Sequence, residues 1–179
     1  MSVLQIGLLY GGATLIAMFD HGRSTRFDLK GHAVIHTAPN VKEVEPSAEN
    51  PAKYAPVCVG TTTSMRMERF TRPLMEQYGV RLIIGKGGLG EASKRAFQEL
   101  GGAYLAVIGG TAALESTWIA AIEEVDLDDL NPESLWRFAI KGFGPLLVAM
   151  DSQGGSLYSQ VRDASRARRA EVLKRLGVR

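Results

Sequence analysis

The chain has 179 residues, 21 basic and 19 acidic side chains, a formal net charge of +2 and a hydrophobic share of 45%. That is enough for one domain with a substantial core, and no uninterrupted apolar stretch approaches the ~20 residues of a membrane helix. The first ten residues lack the basic start of a secretory signal, and the single cysteine, Cys58, excludes an internal disulfide and fits a reducing cytoplasm.

In chain order, residues 13–19 are apolar and read as a short helix broken by Gly22 and Ser24. Residues 32–36 read as a strand. Four prolines between Pro39 and Pro56, with interspersed charge, read as a long loop bordering a functional surface. Three strand-to-helix units follow: 57–60 into 65–78, 81–85 into 91–100, and 104–109 into 112–122. Apolar strands joined by helices predict an α/β fold with a largely parallel central sheet covered on both faces. Residues 136–140 and 145–150 read as two further strands, joined at Gly142-Phe143-Gly144. The remainder, 159–179, reads as a basic, helical tail outside a domain spanning 1–158. From Arg162 onward, seven basic residues face two acidic ones, so the rest of the chain carries a net negative charge. The tail lacks aromatics, and no nucleic-acid motif is present, so a solvated helix is favoured over RNA or DNA binding.

Two segments stand out for chemistry. Gly60-Thr61-Thr62-Thr63-Ser64-Met65-Arg66-Met67 and Gly85-Lys86-Gly87-Gly88 each lie where a strand hands over to a helix. Helix N-termini present free N–H groups and the positive end of the dipole. With Arg66 on one and Lys86 on the other, the pair predicts a pocket for a small polyanion. The simpler alternative is that the threonines cap a helix and the glycines make a tight turn.

Other motifs carry less. Gly85-Lys86-Gly87-Gly88-Leu89-Gly90 matches G-x-G-x-x-G but lacks the acid about 20 residues on that would hold a ribose. It is no P-loop either, because a glycine follows Lys86 where a hydroxyl is needed. His32 and His36 on a strand sit about 13 Å apart, too far to share a metal. Asp126, Asp128 and Asp129 lack the glycine and glutamate of a calcium loop and read as loop solvation. Cys58 in an apolar strand reads as a buried, inert thiol, and alone it cannot ligate an iron–sulfur cluster.

The two central segments, with Phe143-Gly144-Pro145-Leu146 and Asp151-Ser152-Gln153-Gly154-Gly155-Ser156-Leu157, resemble the family of L(+)-tartrate dehydratase β subunits and class I fumarase C-terminal domains. The resemblance runs over 27–158. It implies a swivelling β/β/α domain in an iron–sulfur hydro-lyase acting on a 2-hydroxy-dicarboxylate. The [4Fe-4S] cluster would lie in a partner α subunit, with none bound by this chain alone, and αβ units would pair. It also implies Thr62 as the base, Arg66 and Lys86 as carboxylate-binding cations, and Thr63 and Gly87 as substrate-binding positions in the same turns. The Thr-Ser-Met-Arg-Met-Glu stretch leans to the tartrate branch.

Two departures accompany it. Thr61 stands where the family has proline. At Tyr10-Gly11-Gly12-Ala13-Thr14-Leu15, Gly11-Gly12 replaces an Arg-Asp pair whose arginine clamps the second carboxylate, so residues 1–26 are expected to be a divergent or shortened N-terminus. The alternative function is a non-catalytic dicarboxylate-binding or assembly subunit that has lost this arginine.

Overall fold

The computed structural model describes residues 5–10, 12–48 and 50–178. In chain order the elements are β1 (Gln5–Tyr10), α1 (Gly12–Phe19), β2 (Ala33–His36), β3 (Asn40–Glu43) and β4 (Tyr54–Cys58). A 3-10 segment (Ser64–Phe70) leads directly into α2 (Thr71–Tyr78), then β5 (Leu82–Gly85), α3 (Glu91–Leu100), β6 (Ala103–Ala106) and α4 (Ala112–Thr117). The chain continues through β7 (Ile119–Asp126), β8 (Leu135–Ile140), β9 (Leu147–Met150) and α5 (Leu157–Arg175).

A seven-stranded sheet has the order β7-β8-β1-β2-β5-β6-β9, and β3 and β4 form a separate two-stranded sheet. The central strands β1, β2, β5 and β6 run parallel, as the α/β reading requires, and antiparallel strands flank them. Successive side chains on a strand point to opposite faces. Val34 and Ile83 therefore join a core beneath α1, α2 and α3, through Leu15, Phe70, Leu74 and Phe97. Their neighbours Ile35 and Ile84 join a second core with Tyr54 of the small sheet, Trp136 and Phe138. The result is three layers: a β-hairpin, the main sheet, and helices.

α3 forms where a helix is expected over 91–100, whereas the helix expected over 65–78 is an α-helix only from Thr71, its first residues forming the 3-10 segment. Ser93, Ala96 and Phe97 make the buried stripe of α3, at the separations of one helical face. Gly79, with φ +69°, adopts the left-handed conformation that ends α2. On α5, Tyr158, Val161, Ala164, Ala167, Ala170 and Leu173 recur every third residue. Residues three apart advance about 300°, so this stripe drifts about 60° per step and winds round the helix. No side chain of α5 is buried.

Several expectations require correction. The proline-bearing stretch 39–56 is not a structureless loop: β3 and β4 pair antiparallel, with Val41 opposite Pro56. A two-stranded sheet consists only of edges, where proline costs no ladder bond. Residues 57–60 therefore do not enter the central sheet, and Cys58 is half-buried rather than fully enclosed. The helix expected over 112–122 stops at Thr117, and the strand β7 begins two residues later. Register irregularities at 119–121 and 122–124 place Ile119 and Ile122 in the same core despite their helix-like spacing of three. The second of the two strands expected at 136–140 and 145–150 begins only at Leu147, and the two are not neighbours, since β8 and β9 lie towards opposite ends of the sheet. β1 was not anticipated.

The aspartates expected to be merely solvated have partners. Asp126 accepts from the Thr25 hydroxyl and the Arg26 N–H, Asp128 from the Tyr54 hydroxyl, and Asp129 takes both terminal nitrogens of Arg23.

Candidate active site

The threonine turn sits at the carboxyl ends of parallel strands, the usual ligand-binding edge of an open α/β sheet. Its backbone is tied on three sides. Towards β2, the Thr62 N–H donates to the His36 carbonyl at 2.8 Å, and the Thr37 hydroxyl donates to the Gly60 carbonyl at 2.5 Å. Towards β5, Thr63 and Lys86 form a parallel bridge, and the Ser64 N–H donates to the Lys86 carbonyl at 2.9 Å. Towards α4, the Val59 N–H donates to Ser116 Oγ at 2.8 Å and the Thr61 N–H to the Glu115 carboxylate at 3.2 Å.

Four residues after Thr62, one turn along the 3-10 segment, Arg66 is exposed and its guanidinium donates to Thr62 Oγ1. Both residues line a cavity of about 240 Å³ whose other walls include Gly12, Met67, Phe70 and Glu133. Lys86 does not line this cavity. Its stem passes Gly109, where an added Cβ would lie 3.4 Å from Lys86 Cδ. Gly87, with φ +77°, faces Thr63, since a Cβ there would lie 3.1 Å from Thr63 Cγ2. The structure thus joins Thr62 to Arg66 through side chains, and Thr63 to Lys86 and Gly87 through adjacent backbone.

The helix ends differ from expectation. The N-terminus of α3, after the glycine turn, is filled by Glu68, whose carboxylate accepts the Gly90 N–H (2.8 Å), the Ser93 N–H (3.0 Å) and the Ser93 hydroxyl (2.6 Å). An internal carboxylate already satisfies the free N–H groups and dipole there, so this end is no open anion site. The N-terminus of α1 is similar. The Ala13 N–H donates to the Glu133 carboxylate at 2.6 Å, and the Thr14 hydroxyl donates to the Glu133 carbonyl at 2.5 Å. Gly11 lies outside the described residues, and Gly12 opens α1.

His36, whose carbonyl holds Thr62, is fully enclosed. Burial, which disfavours the charged imidazolium, lowers its pKa from 6.5 to about 4. Beneath the turn, the buried Tyr104 hydroxyl donates to Ser64 Oγ at 2.9 Å. Burial is the main cause of a rise in the Tyr104 pKa, which keeps the phenol neutral.

Sequence reasoning missed Glu68, Glu115 and Glu133, each joined to its backbone partner across 22 to 120 residues. Only Thr111 and Glu115, four apart with hydroxyl and carboxylate 2.6 Å apart, left a local spacing signal.

Among the described residues, no group of three or more His, Cys, Asp or Glu side chains is placed to hold a metal ion, and no helix is long and apolar enough to cross a membrane. With one cysteine in the chain, its residues do not fit a four-iron cluster.

The Fumarase C-terminus family model matches residues 12–161. The L(+)-tartrate dehydratase subunit beta of Escherichia coli K12 is 37% identical over 155 residues, covering 86% of this chain and 74% of that protein. A Methanocaldococcus jannaschii protein, provisionally named L(+)-tartrate dehydratase subunit beta, is 35% identical over 149 residues, covering 82% and 73%. A Geobacillus stearothermophilus protein, provisionally named fumarate hydratase class I, is 33% identical over 160 residues, covering 89% of this chain but 30% of that longer protein. By the span of these matches and the turns they contain, the chain belongs to the Fumarase C-terminus family.

Proposed function

We propose that the chain is the β subunit of a hydro-lyase that adds or removes water on a 2-hydroxy-dicarboxylate, closer in type to tartrate dehydratase than to fumarase. It works in the cytoplasm with an α subunit that carries the iron–sulfur cluster, and αβ units pair. The domain of 1–158 supplies the site, and the tail of 159–179 lies outside it. The observation that carries this reading is the Arg66-to-Thr62 hydrogen bond at the rim of a cavity on the carboxyl edge of the sheet.

The chemistry assigned to this chain is proton removal and charge stabilisation. A C–H beside a carboxylate is a weak acid, because losing its proton pushes the electron pair into an already negative group. Fixed cations aimed at that group lower the barrier. Arg66 at the cavity wall offers a planar fork for a carboxylate, and Lys86, outside that wall on the neighbouring turn, a mobile point charge. Thr62 loses its hydroxyl proton to solvent at the open cavity, the guanidinium stabilises the resulting alkoxide, and Oγ1 then takes the substrate's C–H proton and returns it to solvent after turnover. Thr63 and Gly87 shape the adjacent turns against the substrate.

The test is co-expression with the cluster-bearing α subunit, followed by assay of tartrate, malate and fumarate. Activity is expected on at least one, and its loss in the Arg66→Ala/Lys86→Ala double variant. Full activity in that variant would refute the assignment.

A second reading has one observation in its favour. Gly12 and Glu133 line the cavity near the stretch where the resemblance implies a carboxylate-clamping arginine. On that reading the chain binds a dicarboxylate, or assists assembly, without turning it over. Dicarboxylate binding by an assembled but inactive complex would favour it.

A further inference from the structure

Glu115 is 2% exposed, and among the described residues it makes no ion pair. Burying a carboxylate without a cation is costly unless its oxygens are hydrogen-bonded. Both are: one shares the Thr111 hydroxyl (2.6 Å) with the Ile108 carbonyl (2.5 Å), and the other accepts the Thr61 N–H at 3.2 Å across 54 residues of chain. Thr61 immediately precedes Thr62, and its side chain is also buried. The next residue on α4, Ser116, takes the Val59 N–H. The short helix α4 therefore replaces a strand partner for the segment entering the threonine turn, and Glu115 makes the contact nearest Thr62.

We infer that Glu115 is a positioning residue for Thr62, fixing the peptide before it so that Thr62 Oγ1 stays on Arg66 and faces the cavity. This rests on the reading of Thr62 as proton acceptor. Glu115 touches no substrate. It acts through the Thr61 backbone: removing its oxygen leaves the Thr61 N–H unpaired and releases the turn on its α4 side, while Thr37 and His36 still hold it towards β2. A misplacement of about 1 Å at a reacting group costs about 100-fold in rate.

The experiment compares E115A, E115Q, T62A and E115A/T62A in the complex with the α subunit. E115A is expected to lower kcat about 100-fold with KM within about three-fold of wild type. E115Q, whose amide oxygen can still accept the Thr61 N–H and whose amide nitrogen can donate to the Thr111 hydroxyl, is expected to recover most of that loss. The double variant should be no slower than T62A alone, because the two residues act as one unit. Melting temperatures and amide exchange on the same samples should confine the change to 59–63. Should E115A fail to assemble, E115D carries the same test, since it keeps the charge but withdraws the oxygens by one methylene.

Wild-type kcat in E115A beside an inactive T62A overturns this inference alone, as does a loss that E115Q shares in full or that adds to that of T62A. Wild-type kcat in T62A overturns the reading beneath it and this inference together.

Discussion

Tyr104 on β6 and Ser64 at the start of the 3-10 segment share a buried hydrogen bond of 2.9 Å, which ties the floor of the sheet to the threonine turn. Between them lies Gly85, the last residue of β5. A Cβ there would land on Ser64 Oγ and stand 3.1 Å from the Tyr104 hydroxyl. Gly85→Ala is therefore expected to destabilise the protein by about 1–3 kcal/mol through overpacking. Chemical denaturation checks it, and an unchanged midpoint would mean that the three residues are not in close contact.

The Glu68 carboxylate closes the N-terminus of α3 with three hydrogen bonds. Glu68→Ala should cost about 1–2 kcal/mol, the range for loss of a helix cap, and Glu68→Gln less. Amide exchange should rise at Gly90 and Ser93 before the rest of α3. Uniform protection in Glu68→Ala would show that the cap is not formed in solution.

His36 makes stability depend on pH in a stated direction. Its pKa falls from 6.5 to about 4 on folding because burial excludes the charged form. Between those values the unfolded chain binds the proton and the folded chain does not. The contribution is present in full above pH 6.5 and is lost as pH falls towards 4, amounting to roughly 3 kcal/mol at most. Denaturation midpoints at pH 7, 5.5 and 4.5 should drop steadily, and more shallowly in His36→Gln. Equal slopes in the two proteins would rule out the assignment to His36.

Truncation after Val161 removes most of α5 while keeping Tyr158, whose ring lies against Tyr104 and under Gly88. The helix buries no side chain, and its Arg162–Glu91 ion pair at 3.4 Å is exposed. Stability should stay within about 0.5 kcal/mol of the full chain. A larger loss, seen as a lower denaturation midpoint, would mean that α5 packs more closely in solution.

The legibility of the fold in the sequence followed local periodicity. α3 was readable because Ala96, Phe97 and Leu100 repeat at helical spacing and Gly101 follows. β7 was not, because its irregular register lets Ile119 and Ile122, three apart, enter the same core. The β3–β4 hairpin was hidden by Pro56, which breaks the strand grammar but is tolerated in a two-stranded sheet. In the candidate site, the place of Thr62 and Arg66 on one turn between a strand and a helical segment was readable from the local sequence, whereas their side-chain hydrogen bond was not. Glu68, Glu115 and Glu133 were not, since each meets its partner only after the chain has folded back. At the glycine turn the fold provides no open helix end for an anion, because Glu68 already occupies the N-terminus of α3.

The most direct measurement is the turnover of Thr62→Ala in the assembled αβ complex on its best substrate. A general base contributes about 10²–10⁴-fold, so kcat should fall by that factor while KM, governed by Arg66 and Lys86, changes little. A Thr62→Ala complex turning over at the wild-type rate would contradict the account.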